Sequence, residues 1–179
     1  MTTPLWAPWR MEYIREADRP AGCIFCDKPA EAPERRAGNL VLAVQPRAFV
    51  MMNRYPYAYG HVMIAPRAHV ASLAALDRPS FDDLWRLVRD SIETIETAFA
   101  PHGLNVGMNL GRVAGAGIED HLHVHVVPRW LGDTNFMPAL ADVRVMPEHL
   151  AATYERLRGP FARLSEGAAV EEGSGESAP

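Results

Sequence analysis

In the segment His121-Leu122-His123-Val124-His125-Val126-Val127, histidine alternates with aliphatic residues. A period of two is the mark of a strand whose faces meet different surroundings. Read as a strand, Leu122, Val124 and Val126 point into a core. His121, His123 and His125 then line the opposite face, with neighbours about 6.6 to 7 Å apart along the chain. One histidine can be a satisfied structural group, but a strict row of them is a poor use of a packed surface. The chain is therefore expected to build a sheet with one face given over to chemistry. Two chemistries suit the row. A His-x-His pair can grip a metal when an Asp or a further His lies close by. A neutral imidazole of fixed tautomer, flanked by hydrogen-bonding groups, is a good nucleophile towards phosphorus. The glycine-rich loop from Gly111 through Gly115 to Gly117 enters this strand and could turn backbone N–H groups towards a phosphate. It lacks the Gly-Lys-Ser/Thr of a Walker loop.

The remaining pattern predicts an α+β fold. Asn39–Val44 and Phe49–Asn53 read as a hairpin turning at Gln45-Pro46-Arg47, and His61–Ala65 as a further strand stopped by Pro66. A long helix follows, capped by Asp77 with Pro79 in its first turn. Its apolar stripe is Phe81, Leu84, Trp85, Val88, Ile92, Ile95 and Phe99, and Pro101 and Gly103 end it. Leu104–Leu110 and His121–Val127 complete the strands, the last stopped by Pro128. A second helix begins near Pro147, with Leu150, Tyr154 and Leu157 on one face. The order predicts an antiparallel sheet with one long helix and a C-terminal helix packed on it. Residues 1–164 are expected to form one catalytic domain, and the Gly-, Ser-, Ala- and Glu-rich residues 165–179 a disordered acidic tail.

A net charge of −4 argues against a nucleic-acid partner, which would want a basic face. No apolar run approaches the ~18 residues of a membrane span, and Met1 to Arg10 has no apolar core that would make it a signal peptide. A cytoplasmic protein is expected. Its two cysteines are Cys23 and Cys26, in Gly22-Cys23-Ile24-Phe25-Cys26. Such a pair inside a cell is a redox motif or half of a zinc site. Pro20, Pro29 and Pro33 bracket it and leave no room for the long helix that a redox motif opens. Half a zinc site is the better reading, and it needs two further ligands.

The alternating histidine segment resembles the signature of the histidine triad (HIT) superfamily of nucleotide hydrolases and transferases. Asn53-Arg54-Tyr55-Pro56-Tyr57-Ala58-Tyr59-Gly60-His61 is similar to the Asn-Arg…Pro…Gly-His segment of the Fhit-type dinucleoside polyphosphate hydrolases. Asn109-Leu110-Gly111 resembles the opening of their phosphate loop. Pro128-Arg129-Trp130, Gly132 to Phe136 and Leu5 to Arg10 resemble the bacterial diadenosine tetraphosphate phosphorylase branch. The likeness spans roughly residues 4 to 160 and implies a HIT-like fold.

The resemblance implies that His123 attacks the α-phosphorus of a dinucleoside polyphosphate, diadenosine tetraphosphate foremost, to form a nucleotidyl-histidine. His125 and the loop carrying Asn109 and Gly117 would supply donors to the α-phosphate. His61 and His121 complete the histidine cluster, and Asn53 matches a ribose-contacting position. Inorganic phosphate as second acceptor would make a phosphorylase, and water a hydrolase. Apolar residues around Leu42, Val44 and Val50 to Met52 are candidates for a base slot, not separable by sequence from core residues. Tyr55, Tyr57 and Tyr59 are surface, interface or substrate residues. Some relatives carry a hydroxyl or amide just before the triad; here Gly117 and Ile118 leave only backbone donors. The galactose-1-phosphate uridylyltransferase branch implies a structural zinc on Cys23, Cys26, His69 and His121. The family also implies a homodimer or higher homo-oligomer. Other readings are a nucleoside phosphoramidase of the Hint type, a nucleotide-binding regulatory protein without turnover, and a zinc hydrolase using the triad as ligands.

Overall fold

A computed structural model describes residues 22–133 and 148–171, with side chains through 165 in the second stretch. The motif residues Leu5 to Arg10 and Thr134 to Phe136 lie outside the described residues.

Five strands form one sheet in the order β1-β2-β3-β5-β4. They are β1 Val41–Val44, β2 Ala48–Met52, β3 Val62–Pro66, β4 Gly103–Gly107 and β5 Val124–Arg129. Every pairing is antiparallel. The β1–β2 hairpin closes where the Gln45 N–H donates to the Ala48 carbonyl at 2.8 Å. β1 starts two residues later than the pattern predicts, because Arg36–Asn39 form a helical turn, α2, that ends at Leu40 with φ 61.

β5 is shifted relative to the expected strand at both ends. It begins at Val124 rather than His121: pairing with β3 reaches only Ile64↔Val124, and the Leu122 N–H instead donates to the Val70 carbonyl at 2.7 Å. It also runs through Pro128 to Arg129. Pairing with β3 does not extend past Val126, so the N–H missing at Pro128 interrupts nothing on that side.

Two helices cover one face of the sheet. The first, α3, spans Arg78–Phe99, and the Asp77 side chain accepts from the Ser80 N–H at 2.7 Å as its N-cap. Ala100 at φ 46 stops it. The second, α4, spans Leu150–Glu171, and its Tyr154 hydroxyl donates to the Val41 carbonyl at 3.1 Å. Leu84, Leu87, Ile95, Leu157 and Phe161 of these helices are fully buried against Val50, Met52, Val62, Ile64, Val124 and Val126. Each such side chain contributes about 1.5–3 kcal/mol of transfer free energy. The last helix continues past Ser165, where the sequence predicts the tail to begin. The Ser165 hydroxyl accepts from the Val44 N–H at 3.1 Å, and the Ala and Glu residues that follow favour helix. Residues 172–179 lie outside the described residues.

The other face carries Val41, Phe49, Met51, Met63 and Ala65, packed with Phe25 of α1, Ile24–Ala30. Register places Val41, Met51, Met63, His125 and Gly107 in one row across all five strands. The alternation of strand side chains therefore divides the proposed base-slot residues. Leu42, Val50 and Met52 belong to the helix-covered core, while Met51 and Val44 face the histidine side.

Candidate active site and metal centre

The histidine face is organised by backbone acceptors and donors that leave each ring one option. The His123 Nδ1 lies 2.9 Å from the His121 carbonyl oxygen. A carbonyl only accepts, so Nδ1 carries the proton and Nε2 presents a lone pair. The Tyr57 backbone N–H donates to His61 Nδ1 at 3.0 Å, which puts the His61 proton on Nε2. That nitrogen is 2.9 Å from His125 Nδ1. His61 thus donates to His125, whose own proton sits on Nε2. The outcome is a nucleophilic nitrogen on His123 next to a donor nitrogen on His125, with ring centroids 4.9 Å apart.

Burial favours the neutral form of His121, His123 and His125. His61 and His123 are 1% and 5% exposed. Loss of water pushes the His123 and His121 pKa values below the usual histidine range. Desolvation, then the proximity of His123, lowers that of His125 to about 4. Near neutral pH these three are therefore imidazoles rather than imidazoliums, as a lone pair available for attack requires.

His121 turns towards different partners. Its Nε2 donates to the Pro66 carbonyl at 2.8 Å, so Nδ1 holds a lone pair. That lone pair lies 3.3 Å from Cys23 Sγ and 3.5 Å from Cys26 Sγ. His69 Nδ1 lies 3.2 Å from Cys26 Sγ. The four ligand atoms of Cys23, Cys26, His69 and His121 fall within 4.8 Å of one another and could hold a metal ion. The residues fit such an ion well. Burial, then the neighbouring Cys23, push the Cys26 thiol up to about 11, a penalty on the thiolate that a cation offsets. The carbonyl on His121 Nε2 is the kind of outer contact that fixes a ligating histidine's tautomer. Among the described residues this is the group with metal-ligand geometry. His123 and His125 are not part of this group; their Nδ1 atoms are turned to a carbonyl and to His61.

The other predicted residues sit around this cluster. Asn53 is half-buried directly after β2, and its Oδ1 accepts from the Tyr55 N–H at 2.9 Å in a local turn. Gly107 pairs with His125, and position 109 follows two residues past the end of β4. Asn109 is half-buried there, at the head of the loop that carries Gly117. The Ile118 side chain packs against the Phe25 cluster and has no polar group to offer a phosphate. Tyr59 packs on Phe99 and Trp130, with ring centroids at 4.6 and 5.7 Å.

Sequence reasoning overlooked two contributors. One is the Tyr57 main chain, which sets the His61 tautomer; its ring also stacks on His61 at 4.8 Å. A backbone amide leaves no mark in a sequence. The other is Phe25, whose ring lies 4.8 Å from that of His123 and 5.3 Å from that of His121. Its position between the two cysteines was the available signal.

Comparison with known proteins places the chain in one family. The HIT domain profile matches residues 35–130. The chain is 37% identical over 164 residues to a Mycobacterium tuberculosis protein named AP-4-A phosphorylase, covering 89% of this chain and 84% of that one. It is 30% identical over 82 residues to the bis(5'-adenosyl)-triphosphatase of Dictyostelium discoideum, covering 46% of this chain and 54% of that one. The fold matches a zinc-bound histidine triad family protein from Mycobacterium smegmatis with a TM-score of 0.59 at 21% identity, over 82% of this chain and 97% of that one.

Proposed function

The chain is a HIT-family enzyme, and from that membership we propose that it cleaves dinucleoside polyphosphates at the α-phosphorus through a nucleotidyl intermediate on His123. The observation that carries this reading is the 2.9 Å contact of His123 Nδ1 with the His121 carbonyl, which reserves Nε2 for attack. The Nε2 lone pair forms the P–N bond. The bond from the α-phosphorus to its bridging oxygen breaks, and its electron pair leaves with the second nucleotide. His125 Nε2–H donates to the phosphate oxygens on which charge grows, supported from behind by His61. The backbone of the loop with Asn109 and Gly117 supplies further donors, and Asn53 holds the ribose. In the second step an oxygen of inorganic phosphate or of water attacks the phosphorus and the P–N bond returns its pair to His123.

A zinc ion held by Cys23, Cys26, His69 and His121 fits the donor set. With all four positions filled by protein, its role would be structural, with Cys23 and Cys26 at the start of α1 joined to the segment bearing His123. A homodimer is supported by β4, which lies at the sheet edge with Val106 43% exposed. Among the described residues no helix is long and apolar enough to cross a membrane, and a cytoplasmic setting fits the unmodified nucleotide substrate.

The relative named AP-4-A phosphorylase favours phosphate as second acceptor. Product analysis with diadenosine tetraphosphate, with and without inorganic phosphate, tests the reading. ADP plus ATP formed only with phosphate establishes phosphorolysis. AMP plus ATP without phosphate makes the enzyme a hydrolase. No turnover in either tube sinks the dinucleotide reading and turns attention to phosphoramidates, then to nucleotide binding alone.

A further inference from the structure

A hydrogen bond at one ring nitrogen sets the side-chain torsion but resists small tilts of the ring only weakly. His123 is bonded through Nδ1 to the His121 carbonyl, and rocking about its Cβ–Cγ bond stretches that contact and swings Nε2 off its line of attack. A contact on the ring face stiffens this motion. Phe25 supplies one: its ring centroid lies 4.8 Å from that of His123, at an interplanar angle of 41°. Phe25 is itself tightly held. It is 1% exposed and packs with Phe49, Val41, Met51, Met63 and Ala65. It also sits between Cys23 and Cys26, whose sulfurs both face His121 Nδ1, so its main chain is tied at either side to the metal cluster. The Cys23 carbonyl accepts from the Cys26 and Asp27 N–H groups, each at 2.9 Å, which shapes the turn that presents the ring.

We propose that Phe25 is a positioning residue for the reaction: carried by the metal-binding segment, it clamps the face of the His123 imidazole while the His121 carbonyl holds its edge. The inference rests on the reading of His123 as nucleophile. Orientation effects of this kind are large, since displacements of about 1 Å at a reacting atom can cost about 100-fold in rate.

The test compares the full-length, zinc-loaded chain with Phe25→Met, which roughly conserves volume but offers no flat ring, and with Phe25→Ala. Three quantities are read: bound zinc, the proton resonance of the His123 ring Nδ1–H in histidine-labelled protein, and kcat and KM for diadenosine tetraphosphate. Both variants should keep wild-type zinc. Their Nδ1–H resonance should broaden or vanish, and kcat should fall about 10- to 100-fold with KM within about threefold of wild type. A sharp, unshifted resonance with wild-type kcat in either variant overturns the proposal. So does a raised KM at unchanged kcat, which would make Phe25 a substrate contact, or a loss of zinc in parallel with kcat. If Phe25→Ala does not fold, Phe25→Met decides. If the wild type turns over no dinucleotide, the proposed function fails, while the resonance still reports whether Phe25 holds the ring.

Discussion

The carbonyl oxygen of His121 lies 2.9 Å from Nδ1 of His123, while the side chain of His121 points its own Nδ1 at Cys23 and Cys26. One residue thus joins two sites: its imidazole belongs to the metal cluster and its main chain orients the proposed nucleophile. His123→Asn removes that nucleophile while keeping a polar group of smaller volume. Turnover should fall at least about 1,000-fold, because the group assigned the covalent step is gone. Nucleotide affinity should change little. Rapid-quench kinetics and direct binding to the same substrate check both halves. Retained turnover would move the covalent step elsewhere.

Cys23→Ala removes one ligand from the metal cluster. Metal bound only by the folded state stabilises it by about 3–4 kcal/mol at 100 to 1,000 times its dissociation constant. The variant should therefore lose zinc and melting temperature together. Metal analysis alongside thermal unfolding decides the matter, and full zinc content at an unchanged melting temperature would remove the cluster as a metal site.

His61→Ala leaves His125 Nδ1 without its donor. His125 is then free to take the other tautomer, so that Nε2 would present a lone pair to a phosphate oxygen instead of a hydrogen. We expect kcat to fall about 100- to 1,000-fold, as for loss of one preorganised donor. The nitrogen-15 shifts of the His125 ring should report the tautomer change. An unchanged tautomer with full activity would sink the relay.

His125 also sets a pH dependence. Its pKa is lowered from an ordinary 6.5 to about 4, so between those values the unfolded chain binds a proton that the native state refuses. Its contribution to stability is present above pH ~6.5 and is lost as pH falls towards the folded value. Urea titrations in steps down to pH 4 should show this decline, and His125→Gln should flatten it. Equal slopes in the two proteins would contradict the assignment.

Gly60→Ala tests how the fold holds His61. Gly60 has φ +72, and an added Cβ would sit 2.8 Å from Phe99 Cε2 and 3.3 Å from Pro128 Cγ. The left-handed backbone and the overpacking together should cost about 2–4 kcal/mol and shift the next residue, His61. Thermal melts and kcat read the two effects. A stable variant with normal kcat would show that Phe99 yields without moving His61.

Much of this arrangement was legible in the chain. The two-residue period of the histidine segment separated Leu122, Val124 and Val126 from the histidines, and these three do lie in the helix-covered core. The Asp77 cap and the apolar stripe behind it marked the long helix at its observed start. Both signals are local, arising from side-chain direction and from backbone donors within one turn. Strand ends were less legible. Pro128 reads as a stop only for a strand paired on both sides, and neighbours are not written in sequence. The same ignorance blurred the base slot, where Met51 and Met52 look alike yet face opposite sides of the sheet.

An antiparallel α+β fold, the alternating histidines and the half-site Cys23-x-x-Cys26 are all written along the chain, because periodicity and spacing are properties of a chain read along its length. Which nitrogen of each ring carries the proton was settled by how distant segments pack. That packing also decided that His69 and His121 meet the cysteines and that Phe25 lies on His123. Those outcomes depend on a carbonyl at Pro66, an amide at Tyr57 and a helix start at Cys23 converging from distant parts of the chain. Hydrogen bonds and ring contacts act over a few ångströms, and which groups come that close is set by the packing of the sheet.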